Sequence, residues 1–218
     1  MFKIFIPIKK NSHRVSGKNF REFGGKKLYM HTLSKYEGTG CQIFVDTDSE
    51  EVIQDVEGMS WISAYRREEH LLGGETSVNK LIDHFVNKYC KKGDIVGQIH
   101  VTSPFLSPET VLSSFRDLQE NDYDSIASAD LIQARMWRNE TYGNCPINHN
   151  PMKLEQTQDL PVYYVENSAF YIFTFEQFNE GKNRIGNNNK FVPISFPENL
   201  DIDTEDDWNY CLKINEAM

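Results

Sequence analysis

The segment from Lys9 to Asn19 has the residue types that bind a chain of phosphate groups. It reads KKNSHRVSGKN and contains four lysines and arginines, two serines, two asparagines and one glycine. Cationic side chains attract phosphate oxygens, while hydroxyl, amide and backbone N–H groups donate hydrogen bonds to them. The candidate phosphate-binding residues are Lys9, Asn11, Ser12, Arg14, Lys18 and Asn19.

This segment matches neither of two common phosphate-binding motifs. In a P-loop, GxxxxGK[ST], the first glycine would fall at Ser12, and Asn19 follows Lys18 where serine or threonine is required. The chain also lacks the GxGxxG pattern of dinucleotide-binding folds. The segment therefore predicts a phosphate site of another kind, with an exposed, solvated basic surface as the alternative.

Two carboxylates near the end of the sequence have a spacing that suits a metal ion. Asp201 and Asp203 are two positions apart, so in an extended segment their side chains point to the same side. Paired hard oxygen ligands suit Mg²⁺. The alternative is helix capping by Thr204 and the acids at 205–207, which accounts for those residues but not for Asp201 and Asp203.

Polar residues also follow the predicted central strand, in the run HVTSP at 100–104. Hydroxyl groups in that place could contact a substrate, although an ordinary turn before a helix would use the same residues. The predicted substrate pocket is lined by His100, Thr102, Ser103, Tyr163, Tyr164 and Asn167. We expect His100 to titrate between about pH 5 and 8 and to supply positive charge there. The alternative is a packed residue at the end of the strand.

Short apolar runs alternate with amphipathic segments along most of the chain. Strands are predicted at 2–8, 42–46, 61–64, 94–101, 125–129, 168–173 and 191–196, and helices at 28–36, 49–56, 77–89, 108–118, 175–180 and 205–216. This alternation predicts an α/β fold with an open, mostly parallel sheet and helices on both faces. Such sheets bind ligands beyond the carboxyl ends of their strands, where the first basic loop would lie.

The segment 131–166 breaks this rhythm with scattered aromatic residues, asparagine, glycine and proline. We interpret it as an excursion from the sheet that forms a loop, a lid or a dimerisation arm. No composition change marks a second domain, so residues 1–218 are expected to form one domain.

Composition and charge exclude several classes of protein. Apolar residues make up 39% of the 218 and the net charge is −9, which disfavours a general nucleic-acid binder. Residues 1–27 nevertheless carry eight lysines and arginines against one acid, which favours a small polyanion as ligand. Four widely spaced cysteines predict reduced thiols, and the absence of a membrane-length apolar run or a signal peptide predicts a cytoplasmic protein.

Taken together, these motifs resemble the acylneuraminate cytidylyltransferases, a family that includes the CMP-sialic acid synthetases. After its first strand the family has Ala-Arg-x-x-Ser-Lys-x-x-x-x-Lys-Asn, and the chain follows this pattern in register as far as Lys18-Asn19. Further similarities occur in order along the chain, at 23–28, 46–48, 100–104, 158–161, 167–172 and 200–205. The first and last of these motifs are specific, and the middle ones are weak when taken singly.

The resemblance implies a nucleotide-diphospho-sugar transferase fold of Rossmann-like type and a homodimer built through 131–166. It also implies a reaction, in which the anomeric hydroxyl of a 2-keto sugar acid attacks the α-phosphorus of CTP and pyrophosphate leaves. Mg²⁺ would be bound by Asp201 and Asp203. The implied catalytic residues are Lys18, which holds the triphosphate, and Asp203, which lies close to the attacking hydroxyl.

The chain departs from the family pattern mainly at the acceptor end. His100 replaces a glutamine, while Thr157 and Val165 replace arginines; in the basic loop, Lys9 replaces an arginine and His13 a lysine. CTP use is therefore expected, whereas N-acetylneuraminate is expected to be a poor acceptor. A modified sialic acid such as legionaminic or pseudaminic acid is favoured. The alternatives are an octulosonic acid (KDO), a phosphonate, and a nucleotide-binding regulatory module that has lost activity.

Overall fold

The computed structural model describes residues 1–12, 14–73 and 75–218. Its strands are β1 (Phe2–Ile8), β2 (Glu22–Phe23), β3 (Lys26–Lys27), β4 (Gln42–Thr47), β5 (Ile62–Arg66), β6 (Ile95–Ile99), β7 (Ser125–Ile132), β8 (Trp137–Glu140), β9 (Gly143–Pro146), β10 (Tyr163–Thr174) and β11 (Asn189–Pro193). Its α-helices are α1 (Leu28–Ser34), α2 (Glu50–Asp55), α3 (Val78–Tyr89), α4 (Pro108–Glu120), α5 (Phe175–Gly181) and α6 (Glu205–Ala217).

Seven of these strands form one sheet in the order β11-β7-β10-β6-β1-β4-β5. β1 pairs in parallel with β4 and β6, and β11 pairs in parallel with β7. Only β10, among the strands of this sheet that the structure describes, runs antiparallel to both of its neighbours. The predicted α/β fold with a mostly parallel sheet is confirmed.

The first strand shows why helices cover both faces of this sheet. Its side chains alternate, so that Ile4, Ile6 and Ile8 join one buried cluster while Phe5 joins another on the opposite face. Helices α1, α2 and α4 pack on the isoleucine face, and α3 and α5 pack on the face of Phe5. A third, smaller cluster attaches α6 to β2 and the start of α1.

The main difference from the predicted elements lies in β10. This strand begins at Tyr163, five residues before the predicted start, because the largely exposed residues 163–166 pair with 129–132 at the end of β7. An irregularity in the pairing between Glu166 and Tyr171 separates this outer half from the buried inner half. Alternating apolar residues therefore identified only the inner half of the strand.

The excursion is a small structure of its own. Between the ends of β7 and β10 the chain forms the two-stranded hairpin β8–β9 and a short 3₁₀ turn at Thr157–Asp159. We call this excursion, residues 131–166, the arm. Gln133 holds its base together, because the Gln133 side-chain amide donates hydrogen bonds to the carbonyl oxygens of Gln158 and Leu160, both at 2.9 Å. Within the described parts of the chain, no helix has the length and apolar character needed to cross a membrane.

Candidate active site

A cleft of about 450 Å³ opens at the carboxyl ends of the central parallel strands. It lies beyond β1 and β6, the place where open α/β sheets bind ligands. Ten of the predicted site residues line it, namely Lys9, Asn11, Ser12, Arg14, Lys18, Asn19, His100, Thr102, Asp201 and Asp203. The phosphate-binding, metal-binding and part of the substrate-binding predictions therefore converge on one site.

The basic loop leaves β1 and is held in shape by its own backbone. Gly17 has φ +60°, a left-handed conformation that glycine adopts without steric cost, and it leads into the short 3₁₀ turn Lys18–Phe20. The buried amide of Asn19 donates a hydrogen bond of 2.9 Å to the carbonyl oxygen of Lys9. This hydrogen bond holds the two ends of the loop together beside the cleft. His13 lies outside the described residues.

Asp203 connects the basic loop with the end of the chain. Arg14 approaches it with two nitrogens, Nη1 at 2.9 Å from Oδ2 and Nη2 at 2.7 Å from Oδ1. Lys18 donates a hydrogen bond to the carbonyl oxygen of Ile202, and its Nζ lies 3.6 Å from Asp203 Oδ1. Two cations therefore share the single carboxylate of Asp203, which leaves positive charge at this point of the cleft for an anionic ligand.

Asp201 is held in position by the segment that follows β6. The backbone N–H of Ile202 donates a 2.8 Å hydrogen bond to the carbonyl oxygen of Thr102, which brings 201–203 alongside 100–102. Asp201 Oδ1 is buried and has no hydrogen-bond partner among the described residues. Burial raises the pKa of Asp201, an effect that the Thr102 side chain partly offsets. A buried carboxylate oxygen without a donor suits a cation, so the pair Asp201 and Asp203 fits Mg²⁺.

The acids after Asp203 have the capping role that the sequence suggested. Thr204 Oγ1 accepts a hydrogen bond from the Asp207 backbone N–H at 3.1 Å, and Asp207 Oδ2 accepts from the Thr204 N–H at 2.8 Å. This reciprocal capping box begins α6 at Glu205. Capping accounts for these residues but not for Asp201 and Asp203, which line the cleft.

The structure corrects the expectation that His100 carries charge between pH 5 and 8. Burial, with the smaller effects of the positive charges of Arg184 and Lys18, lowers the pKa of His100 to about 4. The imidazole is therefore neutral between pH 5 and 8 and does not replace the charge of an arginine there. Its Nε2 is buried without a hydrogen-bond partner among the described residues.

Four predicted substrate residues do not line this cleft. Ser103 is buried, at 1% exposure. Tyr164 stacks on Phe191 of the edge strand β11, with ring centres 5.9 Å apart. Tyr163 pairs with Ile132 in the outer half of β10, and Asn167 donates a 3.2 Å hydrogen bond to Asp130. Their contacts with a substrate stay predictions.

Ser168 is a cleft residue that the sequence reasoning missed. It lines the cleft and has φ 61°, a left-handed conformation that is strained for a residue with a side chain. Its Oγ lies 3.1 Å from the hydroxyl oxygen of Tyr171. A signal was present in the similarity at 167–172, because the resembling family has Asn-Gly where this chain has Asn167-Ser168, and glycine adopts that backbone conformation readily.

The N-terminal part of α3 was missed as well. Val78 and Leu81 of α3 line the cleft, as does Thr76 just before the helix. In the sequence, Val78 and Leu81 belong to the regular apolar face of a helix, which predicts burial in the core and nothing more.

Solved structures share this architecture. The CMP:2-keto-3-deoxy-manno-octonic acid synthetase, solved in complex with CTP, superimposes on this chain with a TM-score of 0.65. The two are 16% identical, over 100% of this chain and 98% of the synthetase chain. The 4-diphosphocytidyl-2C-methyl-D-erythritol synthase of Anaerococcus prevotii gives 0.67 at 14% identity, over 99% and 96% of the two chains. The fold is thus that of the Rossmann-like nucleotidyltransferases.

The family model described as Cytidylyltransferase matches residues 4–218, and the chain belongs to that family. It is a CTP-dependent nucleotidyltransferase. A CMP-N,N'-diacetyllegionaminic acid synthase of Legionella pneumophila is 29% identical over 97% of this chain and 94% of its own length. N-acylneuraminate cytidylyltransferase A of Danio rerio is 25% identical over 76% of this chain, but over only 39% of its own length.

Proposed function

We propose that this protein transfers CMP from CTP to the anomeric hydroxyl of a nonulosonic acid of the legionaminic type and releases pyrophosphate. The observation that carries this proposal is the single cleft in which the loop 9–19, the strand end 100–102 and the carboxylates Asp201 and Asp203 meet. Similarity to the Legionella synthase over nearly both whole chains supports the acceptor class.

The basic loop is assigned to the triphosphate. Lys9, Ser12, Arg14 and Lys18 present cations and a hydroxyl on one side of the cleft. Lys18 is only 13% exposed, so its charge is less screened by water than that of a surface lysine. In the reaction, an oxygen–phosphorus bond forms at the α-phosphorus while the bond to pyrophosphate breaks. We assign Lys18 to the negative charge that grows on the leaving pyrophosphate.

Mg²⁺ is assigned to Asp201 and Asp203. Two carboxylates suffice, because Mg²⁺ in nucleotide sites usually takes its remaining ligands from substrate phosphates and water. When bound, the ion neutralises charge on the phosphate oxygens. Asp203 is further assigned to the attacking hydroxyl, whose proton must leave as the new bond forms. Arg14 would release Asp203 from its ion pair as the triphosphate oxygens compete for the guanidinium.

The arm at 131–166 is assigned to homodimer formation. Of the fourteen strongly exposed large apolar residues in the described parts of the chain, nine lie in this range. Met152 and Leu154 are each 91% exposed. Apolar side chains concentrated on one projecting segment favour a protein contact, and a second copy of the chain is the partner we propose. A cytoplasmic location stays a prediction.

The test is pyrophosphate release with Mg²⁺ and CTP, using N,N'-diacetyllegionaminic, pseudaminic, N-acetylneuraminic and 3-deoxy-manno-octulosonic acids and a phosphonate as acceptors. We expect the legionaminic-type acid to give the highest kcat/KM and N-acetylneuraminate to be at least about 10-fold lower, a difference of about 1.4 kcal/mol. ATP and GTP should be poor donors.

Two variants show whether the cleft performs this reaction. Lys18→Ala should weaken CTP binding or slow transfer, while Lys213→Ala, an exposed lysine on α6, should leave both unchanged. Equal behaviour of the two variants would assign the basic loop to a solvated surface. CTP binding without turnover of any acceptor would instead favour an inactive regulatory module.

A further inference from the structure

Arg184 is a cation beside the cleft that the proposed mechanism does not use. It lies in the loop between α5 and β11, and its Nη1 donates a 2.7 Å hydrogen bond to Oε1 of Gln98 on β6. Its guanidinium also stacks on the ring of Tyr171, 3.7 Å from the ring centre. Gln98 is fully buried in β6, two residues before His100. It pairs with Tyr171 of the neighbouring strand β10, so Arg184 contacts two adjacent strands near the carboxyl end of β6.

The neighbours of this guanidinium place it next to the proposed acceptor end of the cleft. His100 and Ser168 both line the cleft. Ser168 Oγ lies 3.1 Å from the hydroxyl oxygen of Tyr171, the residue on which Arg184 stacks. The charge of Arg184 lowers the pKa of His100 more strongly than does the charge of Lys18, which itself lines the cleft.

The charge of Arg184 has no close counter-ion among the described residues. No carboxylate oxygen lies within 4 Å of its guanidinium in that part of the chain, whereas Arg14 and Lys18 both approach Asp203. The acid in its neighbourhood is Glu166, which accepts a 2.9 Å hydrogen bond from the Tyr171 hydroxyl and attracts Arg184 electrostatically from farther away. Burial lowers the pKa of Arg184, yet a guanidinium stays protonated at any physiological pH.

A neighbouring donor is also unused. Gln98 presents its Oε1 to Arg184, and its Nε2 is buried with no hydrogen-bond partner among the described residues. A buried donor without a partner is costly unless a ligand or water satisfies it. Gln98, the residue that holds the guanidinium, therefore still has a hydrogen-bond donor to satisfy.

The loop that carries Arg184 is held rigidly. Asp124 Oδ2 accepts a 2.9 Å hydrogen bond from the Asn188 N–H, and Ser125 Oγ accepts one of 2.9 Å from the Gly186 N–H. A Cβ atom at Gly186 would clash with the Asp124 carboxylate oxygens, so any other residue there would displace that carboxylate. This anchoring to the start of β7 fixes the guanidinium before a ligand arrives, which reduces the entropy lost on binding.

We propose that Arg184 binds the ionised carboxylate of the acidic acceptor, an inference that rests on the proposed function. The carboxylate is the charge that defines such an acceptor, and Arg184 is a fixed cation at its end of the cleft. A planar guanidinium matches a carboxylate with two parallel hydrogen bonds, which explains how acids are selected over neutral sugars.

The experiment compares the best acid of the acceptor panel with its own carboxamide in the wild type and in Arg184→Gln. For the acid, KM should rise on the order of 10- to 100-fold in the variant, the range expected when a charge-assisted hydrogen bond is lost. For the carboxamide, KM should change by less than about 3-fold, because no ion pair exists to lose. The affinity for CTP should be unchanged.

Two further variants, Arg184→Lys and Lys182→Gln, serve as a conservative substitution and as a control. Arg184→Lys keeps the positive charge but loses the planar guanidinium, so it should give an intermediate KM for the acid. It replaces Arg184→Gln as the test variant if that protein does not fold. Lys182 is a nearby exposed cation that pairs with Asp83 at 2.9 Å, and its variant should behave like the wild type.

Three results would overturn the inference. Equal losses for acid and carboxamide would show that Arg184 only supports the structure of the pocket, and no loss for either would show that it does not contact the acceptor. If the wild type releases no pyrophosphate with any acid, the proposed function itself fails. Release by the wild type with an unaffected Arg184→Gln variant removes the Arg184 assignment alone.

Discussion

Asp203 is the residue at which the basic loop, the end of the chain and the assigned metal ion come together. Asp203→Asn keeps the shape of the side chain but removes the charge that faces Arg14 and Lys18. We expect turnover to fall by about 100-fold or more, the size of effect seen when one group that stabilises transition-state charge is lost. Stability should change little, because Arg14 is 69% exposed and ion pairs in water contribute at most about 1 kcal/mol.

The matched control for this variant is Asp206→Asn, which removes an exposed carboxylate three residues further along. Steady-state pyrophosphate assays on both proteins, with thermal unfolding as a check on the fold, measure the difference. Near-normal turnover of Asp203→Asn would remove both the metal and the catalytic assignment.

His100 predicts a pH dependence of stability. Its pKa is about 4 in the folded protein and about 6.5 in the unfolded chain, where the imidazole is hydrated and the charges of Arg184 and Lys18 no longer act on it. The unfolded state therefore binds the extra proton between these values, and the folded state is destabilised as the pH falls through this window. The loss approaches about 3 kcal/mol at pH 4 and is absent above about pH 7.

His100→Gln, which cannot titrate, should reduce this dependence. Urea unfolding of both proteins between pH 4.5 and 7.5 measures it as the change in the free energy of unfolding. The same slope in both proteins would show that other groups cause the acid sensitivity. A titration of His100 between pH 6 and 7 in the folded protein, seen by NMR, would contradict the lowered pKa directly.

At the scale of elements, β10 contributes both to the core and to the cleft. The left-handed conformation of Ser168 marks the irregular point between these two halves. Ser168→Gly and Ser168→Ala both remove the hydroxyl beside Tyr171, but only glycine also relieves the backbone strain. We expect the glycine variant to be more stable than the alanine variant by about 1 kcal/mol.

Both Ser168 variants should lose activity toward the acceptor to a similar extent, since both lack the hydroxyl. Chemical denaturation gives the stability difference, and kcat/KM for the acceptor gives the effect on function. If the alanine variant is at least as stable as the glycine variant, strain at Ser168 is not a significant cost. Wild-type activity in both would remove Ser168 from the acceptor site.

At the scale of the whole molecule, the arm at 131–166 predicts self-association. Leu154→Glu places a charge on an apolar residue that is 91% exposed, so it should disrupt a contact between two copies without disturbing the core of one. Tyr210→Glu is the control, because Tyr210 is also exposed, at 54%, but lies on α6. Sedimentation velocity should show a dimer for the wild type and the control, and a monomer for Leu154→Glu. A monomeric wild type at every concentration would refute the assignment.

Local patterns were sufficient for much of the fold. The predicted first strand at 2–8 has the same bounds as β1, since a run rich in isoleucine and phenylalanine is typical of a buried strand. The helices α3 and α4 were predicted to within two residues at each end, because their apolar faces and N-terminal residues are regular. The outer half of β10 was missed, because its residues are polar or exposed and pair with β7 far away in sequence.

The sequence by itself identified the basic loop at 9–19 and the paired carboxylates, because in each case the chemistry lies in residues a few positions apart. Only the tertiary structure brought together the residues around Arg184. Gln98 and Arg184 are 86 residues apart and meet because β10 lies beside β6 and the following loop is anchored to β7. The structure likewise made His100 neutral, since burial and the charge of Arg184 act on it through space. Distance along the chain says nothing about such contacts, because they are set by the order of strands in the sheet.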